Sequence, residues 1–153
     1  MNKKTIHTHE EGQSLIEFSM SLVFLLILLA GVADFGRAFL SYIIVRDAAQ
    51  EGAVYGAIAE KTDLTIFKEK VKDRVKTSFV NPSDPNKAPL DVDEVQVHTS
   101  IIGSPCAGVG NSVRVTVDYS LDISTPFLGT ILGTQEIPMS TSIEDTILSP
   151  LCP

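Results

Sequence analysis

The sequence predicts an α+β fold in which one long N-terminal helix lies across a small antiparallel sheet. Residues 18–33 form a run without charge, broken only by Ser19 and Ser21, too continuous to be a half-buried strand. Apolar and small residues then recur at intervals of three and four as far as Ala59. From Val92 the period drops to two, the alternation of strands with one buried face. At 153 residues the chain is sized for one domain.

Lys3 and Lys4 precede the uncharged run, and a basic start before an apolar stretch is a targeting or membrane signal. The 16 residues of 18–33 give a helix of ~24 Å, short of the ~30 Å hydrocarbon core. Extending the helix back to Gln13 makes 21 residues and ~31 Å, which spans the bilayer but draws in Glu17. A carboxylate at the centre of a membrane helix costs ~2.5–3.5 kcal/mol, and less near the edge, so its presence points to a role. Beyond the membrane, Phe35, Phe39, Tyr42, Val45, Ala49, Gly52, Gly56 and Ala59 mark an amphipathic continuation of the same helix. Gly52 and Gly56 each weaken a helix by ~1 kcal/mol relative to alanine, which implies close approach of another element. Packing of the helix on its own sheet is the favoured explanation, with a helix dimer as the other.

A second helix is predicted after Thr62 or Asp63 as cap, with Leu64, Phe67, Val71, Val75 and Phe79 on the buried side and its lysines in solvent. Three half-buried antiparallel strands follow, carrying Val95, Val97, Thr99 and Ile101, then Val113, Val115, Val117, Tyr119 and Leu121, then Ile137, Met139, Thr141 and Ile143. Pro138 has no N–H to give a ladder, so the third strand belongs at a sheet edge or is bulged there.

Charge narrows the function. The net charge is −7, and from Val80 onward two basic residues face nine acidic ones, so the distal half holds the whole acidic excess. This removes the basic footprint that nucleic-acid binding requires. Cys106 and Cys152 are an even pair in a region placed outside the cytoplasm, which favours a disulfide over two free thiols. Closing that loop contributes ~4 kcal/mol in the chain-entropy model.

The segment Gly12-Gln13-Ser14-Leu15-Ile16-Glu17-Phe18 places a glycine before the apolar helix and a glutamate five residues later. It resembles the processing site of type IV-like prepilins, in which a membrane-embedded prepilin peptidase cuts after the glycine on the cytoplasmic side. Downstream come Val32-Ala33-Asp34-Phe35-Gly36-Arg37-Ala38-Phe39 and Ala48-Ala49-Gln50-Glu51-Gly52-Ala53-Val54-Tyr55-Gly56-Ala57. Together these are similar to the TadE-like pseudopilins, minor pilin-like proteins of the tight-adherence (Flp) pilus and secretion machinery. The resemblance is strong over the first sixty residues or so, and Ser124-Thr125-Pro126-Phe127-Leu128-Gly129 also looks familial. The leader departs from the family pattern in its Glu10-Glu11 pair.

The resemblance implies a pilin-like architecture with a leader over 1–12, a transmembrane segment over 13–34 and an exterior α+β head over 35–153. It implies prepilin peptidase, other pilin-like subunits, the assembly platform and membrane lipid as partners, no cofactor, and a single pass of the bacterial cytoplasmic membrane with the N-terminus cytoplasmic. Glu17 then neutralises the α-amino group created at Gln13 of a neighbouring subunit. Asp34 and Arg37 form an i, i+3 pair at the outer water interface, worth a few tenths of a kcal/mol.

The competing reading is an exported binding module whose apolar run is an ordinary signal, cut after Ala33 behind the small residues Gly31 and Ala33. A third is an uncleaved signal-anchored protein. Enzymatic signatures do not assemble. Asp34-Phe35-Gly36 spells a kinase triplet, but its glycine-rich loop and catalytic segment are missing. His7 and His9 lack further ligands, His98 falls on the polar side of its strand, and Asp91, Asp93 and Glu94 lack the spacing of an EF-hand loop.

Overall fold

The computed structural model describes residues 11–60, 63–79, 90–105, 110–124, 129–130 and 133–148. Its elements are α1 (Glu11–Ile58), α2 (Leu64–Ser78), β1 (Gln96–Ile102), β2 (Ser112–Asp122) and β3 (Glu136–Thr146). The α+β architecture predicted from the change of period is the one observed.

α1 runs unbroken for 48 residues, ~72 Å at the standard rise, so one rigid rod passes through both the uncharged run and the head. Its first half packs against none of the other described residues. Every large apolar residue between 15 and 32 is exposed, which gives a cylinder apolar all round. Within it the Ser19 hydroxyl donates to the Leu15 carbonyl at 2.7 Å, so that polar group is satisfied inside the helix.

Asp63 caps the start of α2: its Oδ1 accepts from the backbone N–H groups of Thr65 at 2.8 Å and Ile66 at 3.3 Å. Phe67, Val71 and Val75 turn to the core and Phe79 closes the helix. Leu64, expected on that side, is exposed, because the first residue of the helix lies before the turn that meets the core. Across the α1–α2 seam, Arg74 and Glu51 form an ion pair at 2.6 Å on the surface.

The strands form one antiparallel sheet in the order β1-β2-β3, with Gln96 opposite Asp118 in the first pairing and Asp122 opposite Glu136 in the second. Burial alternates along the strands with the predicted parity, so that Val113, Val115, Val117, Tyr119 and Leu121 of β2 face the helices. Pro138 lies in an edge strand, β3, as its missing N–H requires. The core is a sandwich of Val45, Ala48, Ala49 and Ala53 from α1, Phe67, Val71 and Val75 from α2, and the valines of β2.

One part of the predicted helix stripe is corrected. Phe35, Phe39 and Tyr42 are exposed, whereas at the same level Asp34 and Ser41 are buried and Ala38 is half-buried. The true seam lies one residue to the side of the aromatic one, so small and polar side chains are turned toward the head. From Val45 onward the predicted and observed stripes coincide.

Candidate functional site

The residues singled out by sequence fall along α1, and the structure sorts them into three levels. At the base, Gly12 stands in the first turn with open space around it, for no atom lies within 4 Å of where a Cβ would be. Gln13 and Glu17 are four residues apart on this helix and therefore share a face. Glu17 is exposed and has no ion-pair partner among the described residues. A lone carboxylate thus stands on the apolar cylinder about one turn above Gln13.

At the middle level the helix meets the head. The Asp34 side chain lies 3.8 Å from the guanidinium of Arg37, whose own nitrogen donates to the hydroxyl of Ser124 just beyond β2. Arg37 so fastens the start of the head-packed half of α1 to the near end of the sheet. The sequence reading does not single out Ser124 for this contact, although it opens the segment 124–129 compared there with the family.

At the top, a methyl group at Gly52 would collide with Val75 Cγ2 of α2, and one at Gly56 would come within 2.9 Å of Val113 Cγ1 of β2. Both glycines are buried against the chain's own head. Gly56 and its neighbour Ala57 mark the far end of the head, where Leu148 donates its N–H to the Ala57 carbonyl at 3.0 Å.

The sheet's near end is acidic. Glu94, Asp118, Asp122 and Glu136 line an open cleft of about 450 Å³ together with Tyr119 and Pro138. The Tyr119 hydroxyl is pushed above its usual value of 10.0, first by burial and then by the charge of Glu94, with Asp91 and Asp122 adding to it and a backbone hydrogen bond involving Asp91 opposing. Asp91 caps its own turn through the Asp93 N–H at 3.0 Å. No group of three His, Cys, Asp or Glu side chains among the described residues converges on a metal-sized site. His98 is exposed, 3.8 Å from Asp118. At the opposite end of the outer face, Glu144 accepts from Ser112 at 2.5 Å and from Arg114 at 2.9 Å. These bonds hold its carboxyl below the ordinary value of 4.5, that of Ser112 contributing most. Cys106, Cys152, His7 and His9 lie outside the described residues.

Residues 12–54 match the family model described as TadE-like protein. The match begins at the glycine before the apolar helix and ends within α1, so it covers the base, the junction with the head and Gly52, while α2 and the sheet lie beyond it. No curated protein matches the chain, and no solved structure does. The exposed apolar half of α1, which the match covers, is compatible with a single-pass membrane anchor.

Proposed function

We propose that this protein is a membrane-anchored minor pilin-like subunit acting in assembly of a tight-adherence (Flp-type) pilus, processed by a prepilin peptidase after Gly12. The observation that carries the reading is the division of α1. Its first half is apolar on every side and packs against none of the other described residues, and its second half, from the level of Asp34, is packed into a folded head. Such a cylinder needs lipid or other helices around it. With Lys3 and Lys4 in the cytoplasm the head stands outside, where Cys106 and Cys152 form a disulfide. Its partners are the peptidase, lipid, other pilin-like subunits and the assembly platform.

The alternative cut after Ala33 would sever α1 within a continuous helix and create a new terminus at Asp34, a buried residue beside Arg37. The mature N-terminus separates the readings. Intact mass and N-terminal sequencing of the membrane-associated protein are expected to show Gln13 first, and Gly12→Val to leave the leader attached. A chain starting at Asp34 would establish the exported module, and one starting at Met1 the uncleaved anchor.

A further inference from the structure

We propose that copies of this chain stack side by side above the membrane, the exposed aromatic stripe of α1 in one copy seating on the acidic near end of the sheet in the next. The proposal rests on the membrane-anchored reading, because the anchor is what holds both surfaces at one height.

The stripe is Phe35, Phe39, Tyr42, Ile43 and Arg46, spaced at four, three, one and three residues on one face of a straight helix. The apolar four are 73%, 56%, 43% and 38% exposed. Lipid headgroups account for only the lower part. With Asp34 at the edge of the hydrocarbon, the interfacial layer is ~5–8 Å deep, whereas Ile43 stands ~13 Å higher along the helix. Tyr42 and Ile43 therefore reach past the lipid and, next to Arg46, offer apolar surface to a protein partner. Arg46, one turn above Tyr42, has no ion-pair partner among the described residues.

The same molecule carries the complement. Glu94, Asp118, Asp122 and Glu136 rim the cleft at the near end of the sheet, and Tyr119 and Pro138 give it apolar surface. Among the described residues none of Glu94, Asp122 and Glu136 is in an ion pair, and Asp118 has only His98, at 3.8 Å.

Two contacts set the heights. Arg37 is bonded to Ser124 at one end, and Gly56 faces Val113 at the other, so α1 and β2 run antiparallel and positions 39–46 stand level with 118–122. The surfaces also point in different directions. Ser41 and Val45 turn α1 toward the sheet, leaving the stripe on the helix flank about a third of a turn away, while Val117, Tyr119 and Leu121 face inward, so that Asp118 and Asp122 point outward. A copy cannot satisfy itself. A contact between two different surfaces repeats head to tail from copy to copy, giving an open row or a ring and not an isolated pair.

The test places the photoreactive residue benzoylphenylalanine at Tyr42 of the full chain in its native membrane. The expected product is a dimer of this chain, with the crosslinked peptide mapping to 118–122 or 136–140. Arg46→Glu, an exposed change that leaves the core intact, should lower dimer yield about tenfold, the scale of a like-charge contact. Adding Glu136→Arg to the same chain should restore it. Crosslinks confined to lipid, crosslinks to a different protein, or self-crosslinks mapping elsewhere each overturn the proposal. The mature N-terminus is read on the same sample. A chain starting at Gln13 that fails to crosslink overturns the stacking alone, whereas any other start overturns the processing reading.

Discussion

Gly52 of α1 lies so close to Val75 of α2 that the smallest side chain added to it would collide with Val75 Cγ2. Valine is stiff about χ1 and this one is fully buried, so it has little room to yield. Gly52→Ala gains ~1 kcal/mol of helix propensity but meets an overpacking cost of ~1–3 kcal/mol, for an expected net loss of up to about 2 kcal/mol. Removing the obstacle with Val75→Ala in the same chain should make the alanine at 52 less damaging than it is alone. Gly36→Ala, with nothing within 4 Å of its Cβ position, should be neutral or stabilising. Denaturant unfolding of the full chain in micelles measures all three, and equal losses at 36 and 52 would show that packing is not the cause.

The same pair shows why parts of the fold were legible. Two glycines in a helix are costly unless something needs the space, so Gly52 and Gly56 announced a close approach, though the partners had to come from the structure. Asp63 and Pro138 were equally readable, because a cap and a missing N–H act through local chemistry. Phe35, Phe39 and Tyr42 were misplaced for a physical reason. A period of 3.6 says that a helix has a face, and where two adjacent stripes both qualify, only the shape of what packs there chooses between them. The head chose Asp34, Ala38 and Ser41, the smaller set. Ser124 escaped notice because its partner is 87 residues away and no local pattern encodes that contact.

Glu144 gives a prediction with a definite sign in pH. Its folded carboxyl titrates below 4.5 because the Ser112 hydroxyl and then the Arg114 guanidinium favour the charged form. The stability it contributes is therefore fully present above the unfolded value near 4.5 and is lost as pH falls through the lower folded value. The gap in thermal stability between the parent and Glu144→Gln should shrink as pH is taken from neutral down through the carboxylate range. Arg114→Gln should move the Glu144 titration, followed by NMR, back toward 4.5 without abolishing the shift, since the Ser112 bond remains. A gap that stays constant in acid would disprove the linkage.

The proposed Cys106–Cys152 bridge is tested by mass and by stability together. The unreduced protein should weigh two hydrogens less than the reduced one, and Cys152→Ser should cost the head ~2–5 kcal/mol, the usual range for a small exterior domain. The segment holding Cys106 is flanked by a bond from the Ser104 N–H to Asn111 Oδ1 at 2.8 Å, so its entry and exit are fixed whether or not the bridge forms. The variant should therefore lose stability without changing the β1–β2 register. Rapid alkylation of both thiols in the folded, unreduced protein would rule the bridge out.

Glu17 is predicted to act in assembly and not in insertion or folding. It stands on the apolar half of α1, exposed and remote from the head, so the head should fold unchanged in Glu17→Ala. A carboxylate in the apolar segment makes insertion harder, so the variant should reach the membrane at least as well as the parent. What it should lose is engagement with neighbouring helices. The proposed cleavage after Gly12 would leave a charged amine at Gln13, four residues from Glu17 on the same face, and an amine buried in a helix bundle without a counter-charge is strongly disfavoured. Glu17→Asp returns the charge with one methylene less of reach and should recover assembly in part. Membrane content, crosslinking to partner pilins and pilus output are measured side by side, with the exposed Tyr42 position reporting whether stacking of the heads survives. If Glu17→Ala crosslinks and supports pili like the parent at equal membrane level, the carboxylate has no part in assembly, and its place in the apolar segment has another cause.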